Sequence, residues 1–109
     1  MAVIDNLKAM LARGQDSALL RYSLGNEYFK RKEFESGAEH LAEAVALDPT
    51  YSAAWKLYGK VLAEGGRLAE AAHAYSRGIA AAEARGDIQA AKEMGVFRKR
   101  SQKALDDAR

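Results

Sequence analysis

Two glycines, Gly25 and Gly59, lie 34 residues apart inside stretches that otherwise read as helix, LGNEYF at 24–29 and YGKVLA at 58–63. A glycine in a helix interior costs about 1 kcal/mol relative to alanine, so two at matched places ask for a reason in packing. The register extends well beyond them. Advancing by 34 carries Tyr28 to Leu62, Phe34 to Leu68, Ala38 to Ala72, Leu41 to Tyr75, Val45 to Ile79 and Ala46 to Ala80. Residue class survives where a pair of helices would bury side chains, which favours stacked repeats over a bundle of unrelated helices. A position without a side chain lets two helix backbones approach closely. Matched glycines fit that contact geometry better than they fit a flexible hinge.

Each unit reads as two antiparallel helices. Leu20, Leu24 and Tyr28 form one apolar stripe, and Phe34, Ala38, Leu41, Ala44 and Val45 form a second, with the polar turn KRKE between them. The second unit repeats the plan with Trp55, Tyr58 and Leu62, a Gly65-Gly66 turn, then Leu68, Ala71, Ala72, Tyr75 and Ile79. Asp48-Pro49 separates the units, because proline cannot continue a hydrogen-bonded helix and restricts the residue before it. Thr50 or Ser52 is placed to cap the helix that follows. A short helix over 3–13, with Ile4, Leu7, Met10 and Leu11 on one side, precedes the first unit and is stopped by Gly14. A last helix over 87–107, capped by Asp87, carries Ile88, Ala91, Met94 and Gly95 as its apolar side.

Composition agrees with a single all-helical domain over 1–109. Ala, Leu, Glu, Lys and Arg are abundant, and alternating β-branched runs are absent. With no cysteine, neither disulfides nor a cysteine-ligated metal can hold the chain together. Asp5 and Lys8 interrupt what would be the apolar core of a secretory leader, and no stretch is apolar enough to span a membrane. A cytoplasmic setting is expected. A net charge of +2 gives little long-range steering toward polyanions.

These features resemble the tetratricopeptide repeat family, in the form of a small bacterial-type stand-alone domain. The family's 34-residue unit has a W-x2-L-G-x2-Y, A-x3-F, A and P pattern. Trp55, Tyr58, Gly59, Leu62, Ala71 and Tyr75 fall on it in the second unit, and Leu24, Gly25, Tyr28, Leu41, Ala44 and Pro49 in the first. The resemblance covers residues 18–85. Arg21 departs from it at the first tryptophan position, Gly37 and Gly78 replace alanines, and Glu83 stands where a second proline would be. The last change predicts that the second unit's final helix runs on to about Arg85. The implied fold is a right-handed arc of helix hairpins, with 3–13 as a capping half-repeat, 18–51 and 52–85 as repeats, and 87–107 as a cap. Met94-Gly95 echoes Leu24-Gly25 two residues late.

The resemblance also implies a function: protein–protein interaction through a concave groove lined by the first helix of each unit. The groove positions are Leu19, Tyr22, Ser23, Asn26, Phe29 and Lys30, then Ala53, Lys56, Leu57, Lys60 and Glu64. Tyr22, Asn26, Phe29, Lys30, Lys56 and Lys60 are the expected partner-binding residues. Tyr22 and Phe29, seven residues apart, share a side away from the apolar stripe and are expected to serve as exposed anchors whose truncation spares stability. Lys56 and Lys60 could receive a carboxylate. The family's clamp for a terminal carboxylate is disfavoured, since only Asn26 agrees and Tyr22 and Leu57 do not.

Other chemistries find little footing. His40 and His73 fit no ligand spacing and read as surface or packing residues, so no metal or cofactor is expected. Glu35, Glu39 and Glu43 repeat every four residues as a solvated face, because like charges in a row repel. No phosphate-cradling loop or nucleophile motif is present, and an enzyme is not expected. The alternatives are self-association of a small stack, or binding of an anionic surface or nucleic acid through FRKRSQK at 97–103, with Asp106 and Asp107 against it.

Overall fold

In the computed structural model, which describes residues 3–108, six helices follow one another without a strand among the described residues. They are α1 (Val3–Ala12), α2 (Ala18–Lys30), α3 (Phe34–Leu47), α4 (Ser52–Glu64), α5 (Leu68–Ala84) and α6 (Ile88–Asp107). Each packs against the next in sequence. The front helices also touch one another, α2 against α4 and α4 against α6, whereas α1, α3 and α5 at the back make no such contacts. A stack that is close on one side and splayed on the other must curve, with α2, α4 and α6 on its concave side. The molecule measures 42 × 32 × 18 Å.

The glycines act as notches. A Cβ placed on Gly25 would lie 2.4 Å from Cγ of Leu41, and one on Gly59 would lie 2.4 Å from the Tyr75 ring. Leu41 and Tyr75 are themselves 34 residues apart, so one contact is built twice. Gly78 is a third notch, filled by Sδ of Met94 and by Cβ of Trp55. Around these contacts runs a continuous core that includes Leu41, Val45, Trp55, Val61, Leu62, Tyr75 and Met94. A satellite of Ile4, Leu20 and Leu24 seats α1 on α2. The indole N–H of Trp55 donates to the Pro49 carbonyl at 2.8 Å, so the buried ring leaves no unpaired donor.

Four of the five turns close in one way. The residue two past the helix takes a left-handed φ: +83° at Gly14, +59° at Lys32, +83° at Gly66 and +75° at Gly86. The N–H of the next residue then donates to the carbonyl five residues back, as from Arg67 to Leu62 at 2.8 Å and from Glu33 to Tyr28 at 3.0 Å. This six-to-one bond satisfies a carbonyl that the helix end would otherwise orphan. The fifth turn, after α3, is built by Asp48, whose Oδ1 accepts from the Thr50 N–H at 3.0 Å and from its hydroxyl at 2.6 Å. Neither Thr50 nor Ser52 caps α4, contrary to expectation. Tyr51 occupies the cap position without a side-chain bond, and Ser52 is buried.

Glu83 does let α5 run on. That helix has 17 residues against 14 in α3, while the turn after it spans 85–87 rather than 48–51. The balance moves α6 two residues late. Asp87 caps it as expected, accepting from the Ala90 N–H at 3.0 Å, but the buried side is rotated from the expected one. Met94 is fully buried, Phe97 and Ala90 pack on the core, and Ser101 is buried. Ile88 is 57% exposed, and a Cβ added to Gly95 would meet nothing within 4 Å.

Three substitutions test this packing. Gly59→Ala should lower stability by about 1–3 kcal/mol because the rigid, buried Tyr75 ring must move. Gly95→Ala, in open space on a helix, should raise it by about 0.5–1 kcal/mol; urea denaturation of both variants tests the notch, and a stabilising Gly59→Ala would refute it. Lys32→Gly should stabilise by up to about 1 kcal/mol, since a side chain in the left-handed region costs more than glycine's lost entropy. A lowered urea midpoint would contradict this.

Candidate groove on the concave face

The expected groove residues come from α2 and α4, and the curvature brings most of them together. Tyr22, Asn26, Phe29, Ala53, Lys56, Leu57 and Lys60 line one cleft of about 250 Å³. Asn26 and Lys60 directly follow the two notch glycines, so the contact that seats each front helix on its back helix also aims the next residue toward the concave side. Lys30 does not line this cleft. Its ammonium pairs with Glu27 at 3.1 Å on the exposed end of α2.

Two of the lining residues differ from expectation. Tyr22 and Phe29 are half-buried and lean on the core rather than standing free. The Tyr22 ring lies 5.2 Å from that of Tyr51, and Phe29 lies 6.1 Å from Phe34. Their truncation therefore removes aromatic packing worth about 0.5–1.5 kcal/mol per ring pair beyond the lost area, and it does not spare stability. Leu57, expected to face solvent, is buried in the core on the side of α4 that meets α2, where it shares the cleft with Tyr22, Asn26 and Phe29.

Helix α6 adds residues that the two-unit reading passed over. Lys56 Nζ meets Glu93 Oε1 at 3.2 Å. Lys60 Nζ sits 5.1 Å from the centre of the Phe97 ring, and the Arg100 guanidinium sits 5.7 Å from the same centre. Advancing α4 by 36 rather than 34 residues aligns Val61 with Phe97 and Leu57 with Glu93, so the two-residue slip was the signal that could have found them.

A second polar cluster sits where the turn between α1 and α2 comes against α2 and α3. Arg21, in place of the tryptophan, donates to both Asp16 carboxylate oxygens at 2.8 and 3.0 Å. Its third nitrogen lies 3.2 Å from His40 Nδ1. A guanidinium can only donate, so Nδ1 is the acceptor and the imidazole is neutral with its proton on Nε2. The ring stacks on Tyr28 at 5.5 Å, with 3° between planes. Burial, and after it the charge of Arg21, holds the His40 pKa below the usual histidine value. His73 is exposed, as are Glu35, Glu39 and Glu43. Among the described residues no three His, Cys, Asp or Glu gather as metal ligands, and no helix is long and apolar enough to cross a membrane.

Stacked helix hairpins with glycine notches and a lined concave face define a helical-repeat scaffold. The chain belongs to the tetratricopeptide repeat family, whose model matches residues 28–94. It is 47% identical over 102 residues to the TPR repeat-containing protein PA0015 of Pseudomonas aeruginosa, covering 94% of this chain and 97% of that one. The solution structure of protein BPP2914 from Bordetella parapertussis is 45% identical and superposes with a TM-score of 0.80 over 99% of this chain and 92% of that one. At 23% identity, two further structures share the fold. One is the tetratricopeptide repeat domain protein from Salinibacter ruber, with a TM-score of 0.72, covering 79% of this chain and 87% of that one. The other is MamA, with a TM-score of 0.69, covering 95% and 69%. Domains of this family generally mediate protein–protein interaction and are typically non-catalytic.

The His40 cluster sets a pH dependence. The unfolded chain takes up this proton at about 6.5 and the native chain only at lower pH, so the neutral ring's contribution is complete above that value and is lost as pH falls below it. In His40→Gln the amide oxygen can still accept from Arg21 without titrating. The stability of wild type relative to that variant, from urea unfolding across pH 7.5 to 5, should decline with pH; a flat difference would refute the assignment.

Proposed function

We propose that the protein is an interaction module that holds a segment of another polypeptide along the groove formed by α2, α4 and α6. The observation that carries this reading is the gathering of Tyr22, Asn26, Phe29, Lys56 and Lys60 around one cleft. The half-buried rings supply apolar surface whose positions are already fixed by Tyr51 and Phe34, so little rotamer freedom is lost on binding. Asn26 can both donate to and accept from a peptide backbone. Lys30, expected from the sequence to join these residues, stands outside the cleft lining at the end of α2. In this reading the chain is one domain, with 18–51 and 52–85 as its repeats and 3–13 and 87–107 as caps. The lack of cysteine suits work in a reducing cytoplasm.

A photo-crosslinking residue such as p-benzoylphenylalanine tests the reading in cells. Ala53 is exposed and lines the cleft, and Ala46 is exposed on the back helix α3. Polypeptide adducts should form from position 53 and not from 46, and should diminish when Asn26→Ala and Lys60→Ala are added. Labelling from the back position alone, or equal labelling from both, would refute a groove-bound partner.

A further inference from the structure

The charges of this nearly balanced chain are divided unevenly between the two sets of helices. The front helices α2, α4 and α6 carry nine basic and five acidic side chains. The back helices α1, α3 and α5 carry two basic and six acidic ones, Glu35, Glu39 and Glu43 among them. A net charge of +2 for the whole chain thus conceals +4 on α2, α4 and α6 and −4 on α1, α3 and α5, with Arg21 and Arg98 reaching back to His40 and Ser76. Beside the cleft, on its α6 side, Arg100 and the cleft-lining Lys60 converge on Phe97. Their charges therefore lie no farther apart than the sum of their two distances to that ring. Among the described residues neither makes an ion pair. Lys56 alone has a counter-ion, Glu93, in a pair that is still partly open to water at both ends and hence weakened by solvent.

We propose that the segment taken by the groove is acidic: Lys60 and Arg100 receive its carboxylates, and Glu93 is an internal stand-in on Lys56 that a further carboxylate of the partner replaces. This rests on the groove reading above and narrows it to one chemistry. Both cations border the Phe97 ring, so the matching segment carries an apolar side chain beside its acidic ones. The ring also restrains both cations by cation–π attraction, so they are partly ordered before a partner arrives. An acidic polypeptide fits better than a nucleic acid. The basic run on α6 is broken by Asp106 and Asp107, and Lys103 is already paired with Asp107 at 3.1 Å, which leaves few cations for successive phosphates. A terminal carboxylate is not required, because Tyr22 and Leu57 stand at positions where such a clamp would need polar or cationic groups, and Leu57 is buried.

The test is fluorescence anisotropy of the full chain with labelled octapeptides, amidated at the C-terminus, that carry Leu-Phe between glutamates. Control peptides replace every glutamate with glutamine or with lysine. The glutamate peptide should bind about tenfold or more tightly than the glutamine one and should weaken as salt is raised. Lys60→Gln and Arg100→Gln should each weaken it several-fold, Glu93→Gln should tighten it several-fold, and Arg98→Gln with Lys99→Gln should leave it unchanged. Melting curves check that each variant is folded. Equal affinity for the glutamate and glutamine peptides would overturn the acidic preference while leaving the groove as the site. Binding that survives Lys60→Gln but is lost with the Arg98 and Lys99 changes would overturn the groove itself. No binding by any peptide, tighter binding of a single-stranded RNA probe, or a self-associated species that excludes the peptide through Glu35, Glu39 and Glu43 would each overturn the proposal.

Discussion

The insertion of a large back-helix side chain into a glycine notch on the front helix, Leu41 into Gly25 and Tyr75 into Gly59, sets the spacing on which the rest of the molecule depends. A methyl group at either glycine would occupy volume already held by a buried side chain, so the crossing distance is fixed by what the glycine lacks. The helical penalty of glycine, about 1 kcal/mol, is offset by the contacts that a deeply seated leucine or tyrosine makes on all sides. Because the contact recurs after 34 residues between corresponding positions, with Tyr75 in the place of Leu41, the second hairpin inherits the geometry of the first. The stack then curves because the front helices touch and the back helices do not.

The notch also decides what faces the groove. On each front helix the glycine turns toward the back helix, and the residue after it, Asn26 or Lys60, is carried round toward the concave side. Bulky side chains that would otherwise keep the hairpin apart have been moved to the back helix, where they point inward. The concave side is therefore free to carry polar and aromatic residues without loss of core. The charge separation is written on this same division, since basic side chains gather on the helices that line the groove and acidic ones on those behind it. Salt would weaken the field of such an arrangement but leave the fold alone, because none of the ion pairs is buried.

Most of the fold was legible in the sequence because periodic apolar positions, glycine notches and turn residues all point to the same helices. Gly66 and Gly86 marked helix ends that Lys32 marks without being glycine, and Asp48-Pro49 marked the break between hairpins. The misreadings share a physical cause. The cap of α4, the half-burial of Tyr22 and Phe29, and the burial of Leu57 all depend on neighbours brought in from another element: Tyr51 at the turn, Phe34 on α3, and α2 beside α4. Periodicity along one helix reports which side is apolar, but not which neighbouring ring will cover a residue at the edge of that side. In α6 the slip of two residues was visible, yet its consequence for rotation depended on how far α5 extends.

That extension joins the core to the groove. Because α5 is longer than α3, α6 arrives with Phe97 against Tyr75, 5.8 Å between ring centres, and the Lys60 ammonium lies over the same Phe97 ring. Tyr75 in turn fills the notch at Gly59, the residue beside Lys60. Gly59, Tyr75, Phe97 and Lys60 thus form a closed circuit that runs from the backbone of α4 through the buried ring of α5 and the half-buried ring of α6 and back to α4. Burial pushes the Tyr75 hydroxyl pKa up to about 12, so this ring stays neutral through the physiological range and the circuit contains one charge, at its groove end. A cation held in this way has its stem positioned by the notch and its head by an aromatic face that the notch itself locates. The packing that makes the repeat stable therefore also orders a groove cation before any partner is bound.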